Sequence, residues 1–98
     1  MLSAEIEMAI ADKRVVCFYY EGYYREVEPH VLGVSRGATG FLGFQVGGES
    51  RSGRIPNWRR FDLAKIDCLD VSRASFHGPR PTPSGRHSSW DQIIAVVA

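Results

Sequence analysis

Cysteine and lysine are both scarce in this 98-residue chain, with two of each. Cys17 and Cys68 lie in separate apolar segments, with no histidine or further cysteine at ligand spacing, so they do not make a zinc site. They read as small buried hydrophobes in a reducing compartment. No apolar run approaches the ~20 residues that span a bilayer. No basic start leads into an apolar segment with a small-residue cleavage site. The expectation is a cytoplasmic protein with no membrane contact. Also missing are a nucleophile beside a base, a glycine-rich phosphate loop and a pair of catalytic acids. Ser35, Ser50 and Ser52 have no activating partner. His77 and His87 stand in a proline-rich stretch without carboxylate or cysteine spacing. Neither an enzyme, a metal site nor a cofactor is expected.

The cation content is almost entirely arginine: ten of the twelve basic side chains. Net charge is only +1, but it is unevenly spread. Residues 1–50 hold four basic and seven acidic side chains, and residues 51–98 hold eight basic and four acidic ones. Arginine offers a rigid planar fork to phosphate or carboxylate, where lysine is a point charge. Arg51, Arg54, Arg59 and Arg60 fall within ten residues that contain no acid. That stretch reads either as a solvated loop or as a phosphate-contacting one.

The length fits one domain, and a chain of this size buries about 60–70% of its unfolded surface. Leu2, Ile6, Ala9 and Ile10 recur at helical spacing, which predicts a helix over residues 1–13 with one stripe packed on something. Five strands follow, over residues 15–20, 23–35, 41–46, 59–63 and 66–74. Glu21-Gly22 is the first turn, residues 36–40 a hairpin loop, and residues 47–57 a long loop rich in Gly, Ser and Arg. Pro29 marks an edge, bulge or bend in the second strand. Residues 76–89 form an irregular proline-bearing arm, and residues 90–97 are an apolar segment open to either strand or helix. The predicted fold is mainly β with a short N-terminal helix: a small five-stranded barrel of the SH3 or Sm type over residues 1–75. Residues 76–98 form an arm and terminal segment that pack on it. Closure would remove exposed sheet edges.

Side chains alternate along a strand. Arg25 therefore shares a face with Val27 and Val31, and Arg59 shares one with Phe61 and Leu63. A buried unpaired guanidinium costs several kcal/mol, on the order of the effective desolvation penalty. Each arginine must then sit at the rim of the apolar face or be paired, with Asp62, Asp67 and Asp70 as available acids. If both strands close one barrel, two guanidinium groups converge on one mouth, which suits a nucleotide or a phosphodiester. Arg60 and His30 are further candidate ligand contacts. His30, on the face opposite the core-facing set, equally fits a surface or capping residue. Tyr19, Tyr20, Tyr23 and Tyr24 are clustered, and an exposed tyrosine beside an arginine can stack a base.

Ala9-Ile10 with Arg14-Val15-Val16, the phrase Arg25-Glu26-Val27-Glu28-Pro29, Gly40-Phe41-Leu42 and the run from Arg59 to Ile66, taken in order over about residues 6–71, together resemble the WYL domain of bacterial regulators. Ala9-Ile10, Arg14-Val15-Val16 and Phe18-Tyr19-Tyr20 look like its opening helix and strand. Arg25-Glu26-Val27-Glu28-Pro29 is similar to its R-x-V-x-P phrase, and Arg59 to Ile66 to its R-x-F-x-x-x-[RK]-I ending. Gly40-Phe41-Leu42 falls where the name-giving Trp-Tyr-Leu is expected, and Asp62 stands where many members have another arginine. The resemblance implies a stand-alone, divergent member with an Sm- or SH3-like barrel and no helix-turn-helix of its own. It implies ligand sensing in transcription regulation, with binding of a nucleotide or single-stranded nucleic acid. It also implies that Arg25 and Arg59 are ligand contacts, with Phe41 in the position of the family's tyrosine. The alternative partner is protein: a homo-oligomer or a larger regulatory protein, bound through an edge strand or residues 90–97.

Overall fold

The computed structural model describes residues 2–49, 55–81 and 89–98. A helix, α1 (Leu2–Asp12), is followed by β1 (Arg14–Tyr20), β2 (Tyr23–Ser35), β3 (Ala38–Gly48) and β4 (Asn57–Asp62). A 3-10 turn (Leu63–Lys65) leads into β5 (Ile66–Ser75), and β6 (Gln92–Val96) ends the order. All pairings are antiparallel, in the order β4-β3-β2-β1-β5, with β6 joined to β2.

Two expectations change here. Among the described residues the strands number six, because the apolar segment after Trp90, open to either strand or helix, is the strand β6. The sheet is also open: β4 and β5, its two ends, form no ladder with each other among the described residues. They are joined in sequence by the 3-10 turn, where the Asp62 carboxylate accepts a hydrogen bond from the Ala64 N–H. The predicted loop at residues 36–40 shrinks to Arg36-Gly37, since Ala38, Thr39 and Gly40 pair with Ser35, Val34 and Gly33. Arg36 and Gly37 have φ of 52° and 77°, and Glu21 and Gly22 have 54° and 80°. Positive φ at both central residues is the tight hairpin turn that matches strand twist. Of the predicted 47–57 loop, Gly47 and Gly48 belong to β3 and Asn57 to β4, while Arg51 and Arg54 lie outside the described residues. So does His87.

Strand β2 organises the sheet. Its first half pairs with β1 and its second half with β6, while β3 runs along its other side. The handover falls at Pro29, which lacks an N–H to donate. There the register moves from Pro29–Gly43 to Val31–Leu42, so His30 is the extra residue of a bulge. A bulge reverses the alternation. Arg25 and Val27 face the core before it, and Leu32, not Val31, joins the core cluster after it. A second bulge separates Cys17–Asp70 from Tyr19–Asp67 on β5. It carries Cys68 at φ 56° and turns it outward, so Cys68 is exposed and Cys17 half-buried, not the buried pair expected.

The core holds Phe18, Tyr20, Phe41 and Phe61, with Phe18–Phe61 and Tyr20–Phe61 edge-on at centroids both 5.0 Å apart and Phe41 tilted against Phe61. Ile6, Ala9 and Ile10 of α1 close over it. Residues 76–81 pack against the sheet as well: Phe76 joins the core cluster, and Arg80 and Pro81 meet Glu28, Phe44 and Trp58. Gly43 sits where β3 crosses this core, and a Cβ there would lie 2.2 Å from Val27 Cγ1 and 3.0 Å from the Phe41 ring. Gly43→Ala is expected to destabilise the domain by about 1–3 kcal/mol through overpacking. Urea denaturation with an unchanged m-value would measure it.

Candidate functional site

Arg25 lies on the core face, opposite Phe18 across the β1–β2 ladder, and is 2% exposed. Its charge is met in three ways. Nη1 donates to Gln45 Oε1 at 3.2 Å, and Nη2 donates to the Tyr20 carbonyl at 3.3 Å. Nη2 also lies 3.7 Å from the Glu21 carboxylate. The rings of Tyr20, Tyr23 and Phe61 surround the guanidinium carbon at 5.7, 5.7 and 5.8 Å. The pairing acid is thus Glu21, placed by the positive-φ turn, and not one of the aspartates considered from sequence. Burial pulls the Arg25 pKa below the ordinary arginine value, and the nearby positive charge of Arg59 pulls in the same direction. Glu21 opposes both. Arginine starts so high that the group stays charged at neutral pH.

Gln45 is the support that sequence reasoning missed. It is fully buried, and its Nε2 donates to the carbonyls of Gly47 and Glu49 at 3.0 and 2.9 Å. That fixes which end of the amide faces Arg25. The signal was present, because Gln45 shares strand phase with Phe41. A polar residue in phase with a core aromatic needs a partner.

Arg59 is half-buried on β4, in register with Gly43 and in phase with the buried Phe61. Arg25, Arg59 and Arg60 line one cleft of about 290 Å³, together with Tyr20, Glu21 and Trp58. The cleft walls are almost wholly polar, and three cations face one acid. A second cleft of about 500 Å³ adjoins it through Tyr20, Arg60 and Phe61.

Two other sequence candidates lie elsewhere. Phe41 is fully buried among Phe18 and Phe61, so it shapes the core and offers no surface to a ligand. His30 is not on a free surface either. It is fully buried, stacked on the core residue Phe76 and edge-on to Trp58. Its Nε2 accepts from the Arg80 backbone N–H at 3.2 Å, so Nδ1, 2.8 Å from the Glu28 carbonyl, carries the proton. The bulge that phase counting could not place is what tucks it under residues 76–81. Arg80 holds that cover down. It grips the buried Glu28 carboxylate with two N–H groups, at 2.5 and 3.0 Å, and lies over the Phe44 ring at 4.5 Å. Trp58 Nε1 donates to the Pro81 carbonyl at 3.3 Å.

No family model matches the sequence, and no curated protein matches it. Among solved structures, the chain is similar to proteasome accessory factor B/C of Arthrobacter aurescens, with 25% identity and a TM-score of 0.64. The likeness covers 83% of this chain and 13% of that one. The chain thus spans about an eighth of that protein's length. No helix among the described residues is long and apolar enough to cross a membrane.

Removing Arg80 leaves the Glu28 carboxylate buried without its fork. Because Arg80 is 46% exposed, solvent screening reduces the loss from the buried-pair range to about 1–3 kcal/mol. Arg80→Ala is expected to fall by that amount in urea denaturation, and Glu28→Gln in the same background to recover part of it.

Proposed function

We propose that this chain is a WYL-like regulatory module that binds an anionic ligand and performs no chemistry of its own. Its ligand is a nucleotide or single-stranded nucleic acid, taken at the Arg25–Arg59 cleft. The observation that carries this reading is the buried guanidinium of Arg25, opening with Arg59 onto one solvent-reachable polar cleft. Desolvating an arginine next to another cation is unfavourable for the fold alone. A ligand phosphate would offset both terms, and preorganised guanidinium forks suit its oxygens. The resemblance of the Arg25–Pro29 and Arg59–Ile66 phrases supports the same assignment, as does the likeness to a proteasome accessory factor. The backbone order, with a 3-10 turn joining β4 to β5, supports an Sm- or SH3-like arrangement whose sheet curls without closing.

A second reading is self-association through β6. Its residues Ile93, Ile94 and Val96 are 55%, 39% and 46% exposed. The strand carries no charge or proline, the usual guards of a free edge. Antiparallel pairing of β6 with its copy would form a twofold dimer. Ile93→Lys should convert such a dimer to monomer by mass in solution, whereas a monomeric parent would remove this reading.

For the first reading, short single-stranded DNA and RNA and cyclic nucleotides should bind, and more weakly as salt rises from 50 to 200 mM. Arg59→Ala, at a half-buried position, should weaken binding by roughly 10- to 150-fold, the range of a hydrogen bond to a charged group. The parent protein binding none of these probes at 50 mM salt would reject the proposal.

A further inference from the structure

The larger cleft differs in kind from the arginine cleft beside it. Its walls are mixed polar and apolar, and they include Ser35, Thr39, Arg60, Asp62 and Trp90. One wall is a stack. Gly33 of β2 lies beneath the Trp90 ring, so closely that a Cβ at Gly33 would come within 2.7 Å of it. On Trp90 lies the guanidinium of Arg60, its carbon 3.5 Å from the ring centroid. Arg60 is held there by a 3.0 Å hydrogen bond from Nη1 to the Ser89 carbonyl. The stack forms although the Trp90 indole N–H is buried with no acceptor among the described residues. Arg60 itself is exposed and lines the larger cleft.

Arg60 also lines the smaller cleft with Arg25 and Arg59. One side chain therefore joins a cation-rich pocket to a planar, half-apolar one. The charges give the pair a direction. The smaller cleft sets three arginines against Glu21, and the larger sets Arg36 and Arg60 against Asp62. Phosphate is favoured in the first. A flat ring with amino and ring-nitrogen groups suits the second, where it can extend the Gly33–Trp90–Arg60 stack and meet the hydroxyls and the carboxylate.

We infer that the larger cleft is a base subsite, so that the two clefts together take one nucleotide unit, phosphate on Arg25 and Arg59 and base on the outer face of Arg60. This inference rests on the anion-binding reading of the smaller cleft. The unit can be a free nucleotide or one residue of a single strand, since the chemistry is the same.

Calorimetric titration of the full chain separates these terms. Adenosine 5′-monophosphate is compared with ribose 5-phosphate, and a short single-stranded oligonucleotide with its abasic analogue. The base should strengthen binding roughly 5- to 150-fold, the span of base-stacking contributions. Arg60→Lys keeps the charge but loses the plane, so it should bring that ratio close to one, whatever change it makes in ribose 5-phosphate binding at the cleft it also lines. Arg59→Ala should weaken both members of a pair and leave the ratio intact. A ratio seen in the mononucleotide pair assigns a free nucleotide, and one seen only in the oligonucleotide pair assigns a strand. Ratios near one in both pairs, with ribose 5-phosphate still bound, overturn the base subsite and spare the anion cleft. No binding by any of the four compounds overturns both. Circular dichroism confirms that each variant is folded.

Discussion

The burial of one positive charge, on Arg25, constrains everything at its end of the sheet. A guanidinium carried onto a core face loses its hydration, and the loss must be made good nearby. The fold supplies a glutamine amide, a main-chain carbonyl, a carboxylate and three aromatic rings within reach of that one group. Each supplier is itself held. Gln45 is tied to the carbonyls of Gly47 and Glu49, Tyr20 accepts from the Asp62 N–H through its hydroxyl, and Glu21 sits in a left-handed turn. Such an arrangement resists reorganisation of the two terminal nitrogens, although Nε of the same guanidinium is buried with no hydrogen-bond partner among the described residues. It also holds the guanidinium in one orientation, so that a ligand bound as proposed would meet a preorganised group.

Much of this was legible in the chain. The helix, the tight Glu21-Gly22 turn and the strands through Ile66–Ser75 follow from apolar spacing and from β-branched and aromatic runs. Strand phase put Arg25 with Val27 and Arg59 with Phe61, and both guanidiniums line one cleft. Phase failed where a bulge intervened. Beyond Pro29 every inward and outward assignment reverses, so Val31 gave way to Leu32 and His30 was buried under a segment far away in sequence. The Cys68 bulge did the same on β5. Bulges depend on which strands meet, which is a tertiary fact. Phe41 was misjudged for another reason. The resemblance put it at a ligand position, but packing against Phe18 and Phe61 put its ring in the core.

Two groups of cations serve different ends. Arg25, Arg59 and Arg60 line a cleft. Arg80 is spent on Glu28, and a histidine and a tryptophan serve as hydrogen-bonding struts for residues 76–81. The second arrangement is closed and satisfied, the mark of a structural contact. The contrast explains why arginine content alone did not single out a site, and why residues 76–81 belong to the fold.

The sharing of β2 between two partners sets an order of assembly. Its first half is claimed by β1 across a two-residue turn, while its second half waits for β6, some sixty positions later in sequence. Local pairing closes quickly, and distant pairing must first overcome loop-closure entropy. The hairpins of β1–β2 and β2–β3 therefore form while the flank of Val31–Val34 is still bare. Trp90 and its stack arrive only when that flank is filled, so the wall that carries them is the last part of the domain to mature and the first to be lost when the terminal strand detaches.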